Sequence, residues 1–355
     1  MSDKVQTAVI GVTGYAGAEL ARLLLHHPRL RGQAPVFAGR VDEKDAARGG
    51  VPLVEIHPQL GGSNGIADLK QEPFSWELLA GRGVNLLFLA TPHEQSRAWA
   101  PEALARGLRV IDLSGAWRLT EAQHRAVYAF ADDGSAQASR TQEQAVYGMP
   151  ELHRAEIARA RLVANPGCYA TTVILPLRPL VQAELLDLDA GIVADAKSGV
   201  SGAGKSPTAK THFMYAADNL SAYGVFGHRH TGELLEQIGI ASSQIVFTPH
   251  LLPIPRGILA TIYVRFKQPQ THAGVERVYR DFFAASPMVR LYGKHLPQIQ
   301  YSLRTNYADI GFQLDADGRR AVIVSCLDNL LKGAAGQAVQ NLNVMMGWPE
   351  SEGLE

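Results

Sequence analysis

One of only two cysteines in this 355-residue chain, Cys168, follows Asn165, Pro166 and Gly167 and opens an apolar run, in the stretch NPGCYATTVILPL. Proline and glycine suit a turn, so Cys168 is expected in the first turn of a helix, where unpaired N–H groups and the helix dipole favour a thiolate. A free cysteine is more often an inert core residue, and Cys326, inside the strand-like AVIVSCL, is read that way. Cys168 is set apart by a second cluster, GVFGHRHTGE, residues 224–233, in which His228 and His230 flank an arginine and Glu233 lies three residues beyond His230. Histidine serves as acid and base near neutral pH, and Glu233 is expected to orient His230 if a helix begins there. Any one of the twelve histidines would ordinarily be structural. A cysteine, a histidine pair and a dinucleotide site together point to thioester chemistry coupled to hydride transfer.

The dinucleotide site is read from GVTGYAG, which follows the apolar run TAVIGV and carries Gly11, Gly14 and Gly17 around Thr13, Tyr15 and Ala16. The spacing is one residue longer in its first arm than GxGxxG, but the physical need is the same. A tight turn lets backbone approach a pyrophosphate, and a helix N-terminus attracts it. The second apolar run, PVFAGR, ends with Gly39 and Arg40 where a ribose-binding carboxylate would stand. An arginine there pairs with a 2′-phosphate, which favours NADP over NAD, the competing reading being a solvated surface side chain. GVSGAGKS, residues 199–206, matches GxxxxGK[ST] at every required position. The continuation PTAKTHFMYAADN is polar, holds a proline and lacks a buried helical stripe, so a nucleotide-triphosphate site is rejected. Its glycine N–H groups remain able to line a cofactor or phosphate.

The elements that must position these groups follow from hydrophobic periodicity. Short apolar runs, TAVIGV, PVFAG, NLLFLA and RVIDLS, alternate with amphipathic stretches such as GAELARLLLHH, the pattern of buried parallel strands with crossover helices. After RLVANPG a helix is expected at Cys168, then strand-like GIVADA, QIVFTPH, GILATIYVRF, YADIGFQL and RAVIVSCL, suiting a mixed or antiparallel sheet. The expected fold is α/β: an N-terminal Rossmann-like dinucleotide-binding domain, residues 1–166 plus 329–355, with a second α+β catalytic domain, residues 167–328. LLKGAAGQAVQNLNVMM reads as an amphipathic helix returning to the first domain, and the tail PESEGLE as loose.

Composition limits the partners. The 34 basic and 34 acidic residues cancel with no long single-sign run, which argues against nucleic acid. The N-terminus MSDKVQTAVIGVTG lacks the layout of a signal peptide, and no apolar stretch reaches the ~18 residues of a membrane span, so a cytoplasmic protein is expected. Two cysteines form no disulfide framework, and no CxxC or HExxH pairing suggests a metal.

In order along the chain, GVTGYAGAEL, VIDLSGAWRL, YGMPEL, NPGCYATTVILPL, SGVSGAGK, GHRHTGE, TPHLLPIPRGILATIYV and NLLKGAAGQAVQNLNVMMG closely resemble the N-acetyl-gamma-glutamyl-phosphate reductase family of arginine biosynthesis. That family is related in architecture to aspartate-semialdehyde dehydrogenase. The resemblance implies Cys168 as nucleophile, His230 as acid/base with Glu233 beside it, and His228 as a substrate contact or alternative base. It implies that Arg118 faces the substrate or its phosphate, that Asn329 lies near the nicotinamide, and that Gly199 and the SGVSGAG loop lie at the same end of the cofactor. A small acyl phosphate substrate and a homo-oligomer are implied as well. Where the family usually has SADFRL this chain has Gly115, Ala116 and Trp117, and Gly232 stands where HTPE is common, so the acyl pocket is expected to differ. Two alternatives stay open: a reductase of another N-acylated glutamyl or aminoadipyl phosphate, and a non-catalytic NADP-sensing protein. The joint presence of Cys168 and GHRHTGE counts against the second.

Overall fold

The computed structural model describes residues 5–62, 66–130 and 135–355, so the first residues of the MSDK stretch lie outside the described residues. The early apolar runs become strands β1 (Thr7–Ile10), β2 (Val36–Gly39), β5 (Leu86–Leu89) and β6 (Arg109–Asp112), joined by β3 (Val51–Pro52), β4 (Lys70–Pro73), β7 (Ala145–Tyr147) and β8 (Leu162–Ala164). They form one sheet in the order β3-β4-β2-β1-β5-β6-β8-β7, parallel except for the β3–β4 pair at its edge.

Side chains alternate across this sheet with period two. Ala8, Ile10, Leu87, Leu89 and Val110 pack against Ala100, Ala103 and Leu104 of the helix His93–Ala105. Val9, Leu86, Phe88, Ile111 and Val163 pack on the other face with Leu20 and Leu24 of the helix Tyr15–His26. Both faces are therefore covered, which is why these strands read as continuous apolar runs.

The second sheet consists of β9 (Ile192–Gly199), β10 (Ser221–Ala222), β11 (Ile245–Leu252), β12 (Ile258–Arg265), β13 (Val289–Leu291), β14 (Ala308–Leu314) and β15 (Arg320–Leu327), in the order β10-β11-β9-β12-β15-β14-β13. Parallel and antiparallel pairs mix, as expected from the sequence. Ile192, Ala194, Ala196, Ile258, Ala260 and Ile262 point at the helix Cys168–Gln182, which is apolar almost all round and buried accordingly. Val193, Val246 and Tyr263 point the other way, onto an open face of the sheet.

Two expectations about the C-terminus are corrected. The segment after Asn329 is not one amphipathic helix: a π turn, Leu331–Ala335, precedes the helix Gly336–Met346, which is buried on nearly every side. Its Val339, Leu342 and Val344 belong to the core of the first sheet. Nor is the tail loose. Leu354 is buried, and Glu350 and Glu352 pair with Arg154 and Arg29 at 2.6 and 2.9 Å. Among the described residues no helix is long and apolar enough to cross a membrane, and no group of three or more His, Cys, Asp or Glu side chains could hold a metal.

Candidate active site

Strand β8 ends at Ala164 because Asn165, Pro166 and Gly167 turn the chain, and Gly167 caps the helix that Cys168 begins. The apolar remainder of that helix is fixed in the core, so the thiol stands on a rigid base, half-buried, as a free cysteine. The expected low pKa is not found. Burial pushes the Cys168 thiol up to about 11, outweighing the backbone N–H of Tyr169 and the charge of Arg118, both of which favour the thiolate.

His230 meets this helix at its start. A Cβ on Gly167 would run into the His230 ring, with Nε2 the nearest atom, so the imidazole lies against the residue preceding Cys168. His230 immediately precedes the helix Thr231–Ile238, and its Nδ1 is buried without a hydrogen-bond partner. Burial first, then the neighbouring His228, Arg118 and Arg229, hold its pKa well below the ordinary histidine value. The His228 ring stands 4.8 Å away at 87°. Its Nδ1 accepts the His230 backbone N–H at 3.1 Å, which leaves the proton of neutral His228 on Nε2. Burial and Arg229 bring the His228 pKa down to about 4. Both imidazoles are thus neutral at physiological pH; His230 keeps one ring nitrogen able to take a proton, whereas His228, with Nδ1 occupied, presents Nε2–H as a donor.

Glu233 does not orient His230, and this corrects the sequence expectation. Lying in the first turn of its helix and fully buried, its carboxylate accepts from Arg118 Nη1 at 3.1 Å, Tyr147 Oη at 2.6 Å and the Gly167 backbone N–H at 2.9 Å. Arg118 is consumed in the same bracket: Nε donates to the Asn165 carbonyl at 2.7 Å and Nη2 to that of Leu113 at 2.8 Å. Both residues grip the turn that presents Cys168. Tyr147 and Asn165 were missed as members of this set, although YGMPEL and NPGC both stood out as motifs. Trp117 belongs to the core of the first sheet. It is buried, donating Nε1–H to the Ser96 carbonyl at 3.3 Å under the guanidinium of Arg97. The glycines nearby have a packing reason: the Tyr128 ring fills the space a Cβ on Gly115 would need, and a Cβ on Gly232 would come within 2.8 Å of His124 Cβ.

The glycine turn lies at the C-terminal end of β1. Gly11 has φ +94°, and a side chain there would strike the Ala90 carbonyl. A Cβ on Gly17 would strike the Gly11 carbonyl, so helix and strand approach only without one. Gly14, at the N-cap, has only the Gly11 oxygen nearby at 3.8 Å, and no side chain caps the helix. Its free N–H groups open onto a cleft of about 590 Å³ lined by Thr13, Tyr15, Ser201, Lys205 and Arg256. Ala16 lies in the first turn of that helix. Unpaired N–H groups at a helix start attract an anion. Arg40 is exposed at the end of β2.

The SGVSGAGK stretch forms a short 3-10 turn, Val200–Ala203, after β9 and does not run into a helix, in keeping with rejection of a P-loop. Gly199 ends β9 with its N–H on the Gly257 carbonyl at 2.9 Å, and Lys205 Nζ donates to the Thr13 carbonyl at 3.2 Å, closing the loop over the glycine turn. Asn329 braces it from below, accepting from Gly257 N–H at 2.7 Å and donating to Ser201 Oγ at 2.9 Å.

Comparison with known proteins matches both parts of the chain. Residues 6–160 match the family described as semialdehyde dehydrogenase, NAD binding domain, and residues 168–329 match semialdehyde dehydrogenase, dimerisation domain. Aspartate semialdehyde dehydrogenase II from Vibrio cholerae superposes with a TM-score of 0.68 at 19% identity, covering 98% of this chain and 99% of that one. The enzyme from Candida albicans, solved with NADP, gives 0.68 at 14% identity, covering 96% and 98%. These likenesses concern the fold. Sequence relatives reach further: N-acetyl-gamma-glutamyl-phosphate reductase of Dehalococcoides mccartyi is 42% identical over 99% of this chain and 98% of its own length. That of Geobacillus stearothermophilus is likewise 42% identical over 99% and 98%, and that of Methanococcus maripaludis 39% over 98% and 97%. With both domains matched and relatives aligned end to end, the chain belongs to the N-acetyl-gamma-glutamyl-phosphate reductase family.

Proposed function

We propose that this protein reduces N-acetyl-gamma-glutamyl phosphate to N-acetylglutamate semialdehyde, with NADPH as reductant and a thioester on Cys168 as intermediate. The observation that carries the mechanism is the His230 imidazole lying on Gly167, beside the nucleophile at its helix start. Because burial keeps the thiol protonated and both histidines neutral, the S–H proton moves to His230 as sulfur attacks the acyl carbon. The carbon–oxygen bond to phosphate breaks, and His230 hands that proton to the departing phosphate. NADPH, when bound, supplies the hydride that brings the thioester to the aldehyde level. The carbon–sulfur bond then breaks, and His230 returns a solvent proton to the sulfur. His228 Nε2–H is free to donate to a substrate oxygen, since its Nδ1 is occupied by the His230 backbone.

For the cofactor, the uncapped first turn of the helix Tyr15–His26 and the cleft beside it fit a pyrophosphate, and the solvent-exposed Arg40 fits a 2′-phosphate with no carboxylate to repel it. Asn329 and the Gly199–Ala203 loop hold the nicotinamide end. Arg118 and Glu233 act by positioning Cys168. The open face of the second sheet, with Val193, Val246 and Tyr263 exposed, supports a homo-oligomer in which a second copy covers it. Free thiols and the absence of a disulfide among the described residues suit a cytoplasmic setting.

Phosphate-dependent oxidation of N-acetylglutamate semialdehyde by the purified protein, with NADP and NAD side by side, tests this reading. Turnover with NADP and loss of it in Cys168→Ser are expected. No turnover with either cofactor overturns the assigned reaction.

A further inference from the structure

The segment after Asn329 carries two features that the reaction does not use: a π turn and a fully buried lysine. In the turn Leu331–Ala335, the N–H of Gly333 reaches the carbonyl of Asp328, and that of Ala335 reaches Leu330, each at 2.9 Å. Hydrogen bonds that span one residue more than those of an α-helix bring Gly333 up against Cys168. A Cβ on Gly333 would lie 2.7 Å from Cys168 Cβ and 3.3 Å from Cys168 Cα. The next carbonyl, that of Ala334, accepts from Asn165 Nδ2 at 3.0 Å, so the turn touches the nucleophile loop on both sides of Gly167.

Lys332 points the opposite way, into the protein. Its ammonium has no solvent exposure and donates to Glu151 Oε1 at 2.7 Å and Gln340 Oε1 at 2.6 Å. Gln340 in turn donates to Glu151 at 2.9 Å and to Glu350 at 2.7 Å, while Glu151 Oε2 has no partner. An ion pair this deep is a poor source of stability compared with an apolar pair of the same size, because both ions are desolvated. A π turn is likewise an uncommon variant of the helix, frequent at functional sites. Together they fix one thing well, which is register: Lys332 reaches Glu151 only while Gly333 faces Cys168.

We propose that the Lys332–Glu151 pair and the π turn above it are a seat for the nucleophile, with Lys332 and Gly333 as positioning residues that hold the Cys168 side chain in its reactive orientation. The inference rests on the reading of Cys168 as nucleophile. If that reading is wrong, Cys168→Ser keeps its turnover, whereas if only the seat is wrong, Cys168→Ser is dead and the seat variants are normal.

The test uses Gly333→Ala and Lys332→Met, read by semialdehyde turnover, NADP affinity and the rate at which iodoacetamide alkylates Cys168. Both variants are expected to lose about 100-fold in kcat, the scale of an ångström-sized misplacement. NADP affinity and KM should hold within about threefold of the parent protein, and the alkylation rate should change with kcat. The double variant Lys332→Met/Glu151→Leu, which repacks the buried pair as apolar residues, should fold as stably as the parent yet stay slow. Parental kcat and alkylation rate in Gly333→Ala, or in the double variant, would overturn the proposal. So would failure of all three to fold, since the segment would then serve stability alone.

Discussion

The carboxylate of Glu233 accepts the backbone N–H of Gly167 at 2.9 Å, which ties the start of one helix to the residue immediately before Cys168, the first residue of another. The same oxygen takes the Tyr147 hydroxyl at 2.6 Å, and the other takes Arg118 at 3.1 Å. Three donors converge on two oxygens, all buried. Glu233→Gln replaces one acceptor by an NH₂ group facing a donor, which should cost about 1–3 kcal/mol of stability. Kcat should fall as the Gly167 turn loosens, while NADP affinity holds. Tyr147→Phe acts on the same bracket more mildly, so the double variant should be little worse than Glu233→Gln alone. Losses in kcat that simply add would show that the two residues act separately.

Cys168 and its histidines make an opposite-order prediction to that of a preformed thiolate–imidazolium pair. Burial raises the thiol to about 11 and keeps both imidazoles neutral. In the protein without substrate, the rate of Cys168 alkylation by iodoacetamide should therefore climb steadily with pH from neutrality toward about 11. A rate already on its plateau near pH 7 would mean that the thiolate is formed in advance. Mass spectrometry distinguishes this thiol from Cys326, which is buried in β15.

Much of this arrangement is legible in the sequence, for physical reasons that also mark the limit. Strands β1, β5, β6 and β12 are apolar runs between turn residues, so their periodicity reports burial directly. The edge pairs β3 (Val51–Pro52) and β10 (Ser221–Ala222) are two residues long, too short to leave a pattern. Cys168, His228 and His230 could be paired by residue chemistry, since a thiol and imidazoles suit one another at neutral pH. Glu233 and Arg118 could be singled out but not given the right task, because which donors meet a carboxylate is decided by packing between helices far apart in sequence. Lys332 and Gly333 stand inside the motif NLLKGAAGQ, but nothing in their types or spacing says that one is buried and the other meets Cys168. A π turn differs from a helix by one hydrogen-bond step, and a lysine in an otherwise helical run reads as a solvated face.

The buried histidines also predict how stability responds to acid. For His228 the folded value is about 4 against an ordinary 6.5, with burial as the main cause. Between those values the unfolded chain binds the extra proton and the folded chain does not. The contribution of His228 is therefore fully present above 6.5 and is lost progressively as pH falls toward 4. His230 shifts in the same direction and adds to the effect. Urea midpoints should fall between pH 7 and pH 5, and His228→Gln should flatten that fall. An equal drop in the variant would place the acid sensitivity elsewhere, with the buried His230 and His27, whose values burial also lowers, the next groups to examine.

Arg40 offers the sharpest test of cofactor choice. It is exposed directly after β2, whose neighbour β1 leads into the glycine turn, which is the position that the proposed reading gives to the adenosine ribose of the cofactor. A guanidinium–phosphate contact is charge-assisted and bidentate, worth about 1.5–3 kcal/mol. Arg40→Asp removes that contact and sets a carboxylate against the 2′-phosphate, so KM for NADP should rise by about 10-fold to 100-fold. The same carboxylate can accept from the ribose hydroxyls of NAD, so KM for NAD should fall or stay level. Arg40→Ala separates the two effects, losing the attraction without adding repulsion, and should lie between the parent and the aspartate variant. Initial rates of semialdehyde oxidation over both cofactors decide the matter. An unchanged NADP to NAD ratio in Arg40→Asp would show that Arg40 is a solvated surface residue and that another group reads the 2′ position.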